Sequence, residues 1–154
     1  MEAWVVLKYV HILAVIVALG ANFTYAFWLT RAGRESERLV FVIESIRRLD
    51  RRVANPAYIV AAIAGVGIVL TGPYRFETPW IVAAIVLYVL VAVLGIALYA
   101  PAIRAQLELA RRAPESEAYG VAARRAQALG ILVTAIVVVI VGLMVFKPAL
   151  WGSA

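Results

Sequence analysis

The sequence predicts an all-α integral membrane protein, a bundle of four transmembrane helices, and three observations carry the prediction. The 154 residues are 65% hydrophobic with a mean hydropathy of +0.94, whereas a soluble domain is about half apolar. Charged residues enclose four uncharged runs, at positions 9–30, 53–74, 78–103 and 126–146. Each run exceeds the ~20 residues that a helix needs to cross about 30 Å of hydrocarbon.

The first predicted span covers about residues 3–29. Trp4 and Trp28 stand near its two ends, where indole rings typically anchor a helix at the membrane interface. Its apolar run is longer than that of a secretory signal peptide, and no charged segment precedes it. We therefore expect this span to be retained rather than cleaved.

The segment between the first and second spans is strongly basic. Residues 31–52 contain seven Arg against four acidic residues, and apolar residues recur through the segment at helical spacing. We expect a helical extension at the membrane surface, with Glu44 and Arg48 as an i,i+4 ion pair. Its arginines are typical of an orientation signal that also contacts anionic lipid head groups. The alternative is a site for a specific anionic ligand.

Asn55 and Pro56 predict the start of the second span, over about residues 56–71. An Asn side chain can cap the free N–H groups of a helix, and Pro fits the first turn. Residues 71–73, Thr-Gly-Pro, predict where the span ends.

The third span, over about residues 80–100, begins with the same pattern, Thr78 followed by Pro79. Pro101 predicts a kink, because its ring removes one backbone hydrogen bond. We expect the helix to continue beyond it as a basic amphipathic segment through Arg112.

The fourth span covers about residues 127–147. Residues 113–116 predict the turn that leads to it, and Arg124 and Arg125 are expected just before the helix. Since four spans occupy nearly the whole chain, we expect a single domain over residues 1–154.

Basic residues predict the orientation in the membrane. The first connecting segment contains seven of them and the third contains five, which leaves three for the rest of the chain. Short loops rich in Lys and Arg stay in the cytoplasm. The first and third loops are therefore predicted to be cytoplasmic and both termini to be outside.

One face of the first span is polar. Lys8, His11, Asn22 and Tyr25 recur at alternating helical spacing, in register with small or apolar residues at Val15, Ala18 and Leu29. A polar group in hydrocarbon costs several kcal/mol when unpaired, so this face is expected to point into protein rather than lipid.

Composition excludes several classes of function. The second, third and fourth runs contain no acidic residue, which argues against a proton- or sodium-coupled transporter. The chain has no Cys and one His, so thiolate, bis-His haem and multi-His metal sites are excluded within one chain. The net charge of +6 follows from membrane topology, so no nucleic acid is expected as a partner.

His11 is the main functional candidate, because an ionisable side chain inside the membrane is rare unless it has a function. The simplest interpretation is a neutral His that hydrogen-bonds to another helix. The alternatives are haem or another porphyrin, and proton or quinone chemistry. Lys8 and Lys147 either extend to the outer surface or pair with an anionic group such as a propionate or a lipid phosphate.

Met144 is the candidate second ligand, although the simpler interpretation is that Met144 fills space between packed helices and that Asn22 hydrogen-bonds between helices. His11 lies seven residues inward of Trp4, and Met144 lies seven residues inward of Trp151, so the two side chains are expected at similar depth. A His/Met pair would ligate haem b and raise its reduction potential. The remaining members of the predicted cofactor site are Lys8, Lys147, Asn22 and Tyr25.

Several short motifs resemble a group of small bacterial four-helix membrane proteins. The motifs are Lys8-Tyr9-Val10-His11-Ile12, Arg47-Arg48-Leu49-Asp50-Arg51-Arg52, Asn55-Pro56-Ala57, Gly65 with Gly67, and Phe146-Lys147-Pro148. The chain most resembles an uncharacterised branch of predicted integral membrane proteins. Its relatives are the HemJ-type membrane protoporphyrinogen oxidases and the membrane domain of copper-resistance protein D.

The resemblance implies a haem-ligand role for His11, since the first-helix histidine has that role in the oxidase branch. That branch also has a basic residue in its third helix, and residues 78–103 contain none here. The resemblance therefore extends to haem ligation and leaves open whether the protein is an enzyme.

The sequence thus predicts a multi-pass protein of the bacterial inner membrane that binds haem or a similar hydrophobic cofactor near the outer leaflet. The rival interpretation is a non-catalytic scaffold or assembly subunit, and a carrier of small solutes or lipids is third. Expected partners are membrane lipids and either a second copy of the chain or a larger membrane complex.

Overall fold

Four long helices form the protein in a computed structural model that describes residues 2–33 and 35–150. Each helix is long and apolar enough to cross a membrane. They are α1 (Ala3–Ala32), α2 (Ser36–Thr71), α3 (Pro79–Arg112) and α4 (Glu117–Phe146). No strand occurs in the described ranges, and the predicted all-α, four-helix fold class is confirmed.

The second and third helices each contain one π-helical turn. In α2 it covers Asp50–Ala54, between α-helical stretches at Ser36–Leu49 and Asn55–Thr71. In α3 it covers Gly95–Tyr99, between Pro79–Leu94 and Ala100–Arg112. These wide turns let each helix run well beyond its predicted apolar span.

The π turn at Asp50–Ala54 explains why α2 runs through Asn55 and Pro56, where the sequence predicts a separate helix to start. Asn55 has helical backbone angles, and its N–H donates to the carbonyl oxygen of Asp50, five residues back. Pro56 has no N–H, and its ring would clash with the carbonyl four residues earlier in a regular α-helix. The wider turn absorbs the misfit without ending the helix.

Pro101 lies in the same position relative to the second π turn, two residues after its last residue. There the N–H of Ala100 donates to the carbonyl oxygen of Gly95. The helix then continues to Arg112 as predicted. The expected distortion at Pro101 therefore takes the form of a π turn.

The connections between helices follow the sequence more closely. Thr71 ends α2, where the N–H of Gly72 donates to a carbonyl of the last turn, and Pro79 begins α3. Ser116 caps α4 by accepting a hydrogen bond from the N–H of Tyr119 at 3.1 Å. Because this cap lies early, the predicted position of Arg124 and Arg125 ahead of the helix is wrong, and both lie inside α4.

The bundle has two different ends. At the terminal end, the first turn of α1 and the last turn of α4 lie beside the α2–α3 connection. At the basic end, the first half of α2 packs against the last half of α3. In the region between the two ends α1 packs mainly on α2, and α3 mainly on α4.

The hydrophobic core lies at the basic end. It consists of Tyr25, Ala32, Leu39, Ile43, Ile46, Ile103, Leu107 and Ala110. By contrast, only 6% to 17% of the most apolar stretch of each helix is buried. Lipid can cover that apolar surface, so the exposure suits a membrane protein.

Candidate functional site

The polar face of α1 points into the protein, as predicted. The buried residues of this helix are Ala14, Ala18, Tyr25 and Ala32, and Ala18 is fully buried. His11 and Asn22, on the same face, are half-buried. Lys8, near the start of the helix, is exposed.

Small residues let α1 and α2 approach each other closely. A Cβ atom added to Gly65 would lie 3.2 Å from Cε1 of His11, and one added to Gly67 would lie 2.9 Å from Cδ1 of Leu7. Ala61 and Ala64, on the same side of α2, are buried. This is the packing expected between helices in lipid, where close backbone approach replaces a hydrophobic driving force.

The imidazole of His11 is held across this contact. Its Nδ1 atom lies 2.7 Å from the backbone carbonyl oxygen of Ala61. A carbonyl oxygen can only accept, so Nδ1 carries a hydrogen and donates it to Ala61. The Nδ1–Cε1 edge of the ring therefore faces α2, with Gly65 one turn further along.

The second ring nitrogen has no such partner. No hydrogen bond from the described residues reaches Nε2 of His11. Within the same ranges, the only buried side-chain nitrogen or oxygen without a partner is Oε1 of Gln106, so Nε2 is not enclosed by the chain. Nε2 of His11 is thus accessible and without a partner among the described residues, while the hydrogen bond from Nδ1 to Ala61 fixes the orientation of the ring.

Lys147 and Lys8 lie at the terminal end, where aromatic residues hold them. The Nζ atom of Lys147 donates to the hydroxyl of Tyr74 at 3.0 Å and lies 5.0 and 5.9 Å from the ring centres of Tyr74 and Trp80. Lys8 lies 6.0 Å from the ring of Trp4. These contacts fit interfacial cations, and the proposed propionate contacts stay predictions.

The α2–α3 connection that supplies Tyr74 also contains an exposed ion pair, in which Nε of Arg75 lies 3.5 Å from Oε2 of Glu77. Hydrogen bonds from its own backbone N–H and from Arg75 lower the pKa of the Glu77 carboxyl group.

Met144 is half-buried on α4, whereas the described contacts of His11 are to α2. The depth comparison that paired the two residues used Trp151, which lies outside the described residues. A role for Met144 as a second ligand therefore stays a prediction.

Asn22 and Tyr25 belong to a different group of side chains, nearer the basic end. Nδ2 of Asn22 donates to the hydroxyl of Tyr58 at 2.7 Å, and the Tyr25 hydroxyl donates to Oδ1 of Asp50 at 3.2 Å. The Tyr88 hydroxyl donates to the backbone carbonyl of Tyr58 at 3.1 Å. The polar face of α1 therefore makes two separate contacts: His11 bonds to Ala61, and Asn22 and Tyr25 bond to Tyr58 and Asp50.

Three of these residues, Tyr25, Asp50 and Tyr58, together with Tyr99 of α3, form what we call the Asp50 cluster. The phenols of Tyr58 and Tyr99 lie within electrostatic reach of the Asp50 carboxylate. Asp50 is the first residue of one π turn, and Tyr99 is the last residue of the other. The cluster therefore joins α1, α2 and α3 around one half-buried carboxylate.

Sequence reasoning missed Asp50, which it counted among the acidic residues of a basic surface segment. The available signal was its position six residues before Pro56, where a helix that continues must be distorted. Tyr58 follows Asp50 by eight residues, about two helical turns, so both can lie on one side of α2.

The arrangement limits the metal chemistry that is available. Among the described residues no three His, Cys, Asp or Glu side chains come together to hold a metal ion. Haem differs from such ions, because the porphyrin supplies four nitrogens and the protein needs to supply only an axial ligand. A single oriented imidazole fits that requirement.

Comparison with known proteins places the chain in a family. It matches the predicted integral membrane proteins of DUF2269 over residues 5–148. The chain belongs to this family. No curated protein and no solved structure matches it. The family assignment confirms an integral, multi-pass membrane protein, while the resemblance to HemJ-type oxidases and to copper-resistance protein D stays a prediction.

Proposed function

We propose that the protein binds haem, or a similar flat hydrophobic cofactor, through Nε2 of His11 inside the membrane. The observation that carries the proposal is the asymmetry of the His11 ring. Nδ1 donates to Ala61, and Nε2 is left without a partner among the described residues.

This asymmetry is the one that a ligating histidine needs. A metal-bound His typically donates its other ring N–H to a carbonyl or carboxylate, which fixes the tautomer and makes the ligating nitrogen more basic. Ala61 supplies that acceptor from the backbone, and Gly65 leaves the space in which the ring is held.

Exposed apolar side chains follow His11 along α1 and would offer a flat apolar ligand a surface to cover. Ile12 and Ile16, on the same helix as His11, are 46% and 61% exposed. An apolar macrocycle could cover such side chains as lipid tails do, and an unpaired nitrogen in hydrocarbon is costly. Haem would supply one-electron chemistry, while the chain would bind it, orient the axial nitrogen and exclude water.

The test is a visible absorption spectrum of the protein purified in detergent from haem-sufficient cells. We expect a Soret band in the unaltered protein and its loss in His11→Ala. Asn22→Ala is the matched control, because Asn22 lies on the same face of α1 but bonds to Tyr58. That variant should keep its haem.

Added imidazole should restore the Soret band to His11→Gly, since the free base can occupy the space of the missing ring. A colourless unaltered protein that also fails to bind added haemin would overturn the proposal. Full haem occupancy in folded His11→Ala would do the same.

A second candidate function rests on the same open nitrogen. In an assembly subunit, a donor on a partner helix would satisfy Nε2 of His11. This alternative predicts a colourless protein whose oligomer in mild detergent dissociates in His11→Ala and persists in Asn22→Ala.

A further inference from the structure

We propose that a groove at the basic end binds the phosphate of an anionic phospholipid head group. The groove has a volume of about 310 Å³. Its lining residues, which we call the arginine groove, are Glu44, Arg47, Arg48, Arg51 and Arg52. The site is separate from His11, which lies on α1 nearer the other end.

The charge of the arginine groove is not neutralised within the described part of the chain. Its one acidic residue, Glu44, forms an ion pair with Arg111 of α3 instead of the predicted pair with Arg48. None of the four groove arginines pairs with an acidic side chain in the described ranges. Four guanidinium groups thus border one cavity, and the single carboxylate that lines it is paired with an arginine of another helix.

The spacing of the arginines suits a phosphate. Residues 47 and 51, like residues 48 and 52, are four apart, so each pair lies on neighbouring turns of one helix. The π turn begins between the members of each pair, at Asp50. Guanidinium groups are planar forks that bind phosphate oxygens in pairs, which makes Arg the preferred side chain for this anion.

The depth of the groove favours a lipid over a soluble anion. Arg52 is the last charged residue before the uncharged run at 53–74, so the groove lies where that run would leave the hydrocarbon. Leu49 and Val53, interspersed with the arginines, are 36% and 37% exposed. A phospholipid would place its phosphate on the guanidinium groups and its acyl chains along these apolar side chains.

Other arginines at the same end provide a contrast. Arg111 and Arg112 form ion pairs with acidic residues, and Arg104 donates to the backbone carbonyl of Ala100 at 3.0 Å. Arg124 and Arg125 are exposed on α4 and do not line the groove. They form an adjacent pair, like Arg51 and Arg52, and so offer a matched control.

The experiment is native mass spectrometry of the full chain in a neutral detergent, titrated with phosphatidylglycerol or with phosphatidylcholine. Both lipids contain a phosphodiester, but only the first has a net negative charge. We expect at least tenfold tighter retention of phosphatidylglycerol. Arg51→Gln/Arg52→Gln should reduce the preference to within twofold, and Arg124→Gln/Arg125→Gln should leave it unchanged.

A conservative double variant guards against misfolding. Arg51→Lys/Arg52→Lys keeps both charges but removes the planar guanidinium groups. Its preference for phosphatidylglycerol over phosphatidylcholine should fall at least threefold. If the 51/52 and 124/125 glutamine variants lose the preference for phosphatidylglycerol equally, general surface charge explains the binding and the proposal is overturned. Displacement of phosphatidylglycerol by millimolar inorganic phosphate, dependent on Arg51 and Arg52, would overturn the lipid as the ligand in favour of a soluble phosphate.

Discussion

The contact at His11 and the Asp50 cluster use the same face of α1 in opposite ways. At His11 the helices approach so closely that a side chain meets a backbone carbonyl, with glycine on the facing helix. At the Asp50 cluster the helices meet through side chains, and a phenol donates to a carboxylate. At the cluster the Tyr25 hydroxyl and the Asp50 carboxylate satisfy each other, whereas the carbonyl of Ala61 can occupy only one of the two nitrogens of His11.

The two regions also differ in what holds the helices together. Leu39 and Ile43, the large core residues that are fully buried, lie in the basic segment outside the uncharged runs, where burial of apolar surface from water provides the driving force. The contact of α1 with Gly65 and Gly67 lies within such a run, where lipid is as apolar as the side chains and packing must suffice. Stability is therefore expected to concentrate at the basic end, and the capacity to bind haem nearer the other end.

The largest expected effect tests that division. Ile43→Ala should lower the free energy of unfolding by about 2–5 kcal/mol, because Ile43 is fully buried and the change leaves a cavity. Ile63→Ala is the matched control, since Ile63 is 67% exposed on an apolar stretch of α2. Denaturant titration in detergent measures both, and equal losses would contradict the assignment of Ile43 to the core and Ile63 to the lipid-facing surface.

Much of the fold follows from the sequence because hydrocarbon thickness sets the length of a spanning helix. Four uncharged runs therefore predict four helices, and the spacing from His11 to Tyr25 predicts which face of α1 is covered. The continuation of α2 through Pro56 was not predictable in this way. It depends on a π turn that relieves the proline, and proline alone equally predicts a helix start.

The candidate site was predicted less completely, because helical periodicity identifies a face and not its partners. Ala61 and Tyr99 lie far along the chain from His11 and Asp50, and only the packing of the helices brings each pair together. Lys147 shows the same limit. Its position near a helix end predicts an interfacial cation, but its contact with Tyr74 depends on where the α2–α3 connection lies.

An intermediate effect is expected at the glycine contact. Gly65→Ala places a Cβ atom 3.2 Å from the imidazole, so the ring must move and its bond to Ala61 should lengthen. Overpacking of this kind costs about 1–3 kcal/mol, against a gain of up to ~1 kcal/mol in helix propensity. Gly20→Ala meets no atom within 4 Å and should be neutral or stabilising. Nitrogen NMR of His11 would report the bond, and an unchanged Nδ1 signal in Gly65→Ala would contradict the close approach.

The smallest expected effect concerns the Asp50 cluster. Tyr25→Phe removes the hydroxyl group that donates to Asp50 but keeps the buried aromatic ring, so the hydrophobic contribution of Tyr25 to the core should remain. A hydrogen bond to a charged group contributes about 1.5–3 kcal/mol, and neighbouring phenols can replace part of that loss. We therefore expect a decrease of about 1 kcal/mol in the free energy of unfolding, whereas Tyr9→Phe, at a residue that is 64% exposed, should cause almost none.

The double variant Tyr25→Phe/Asp50→Asn separates the pair from its surroundings: if the two residues act through their mutual bond, the combined loss is smaller than the sum of the single losses. Strict additivity in that cycle would show that Tyr25 stabilises the basic end through its ring alone.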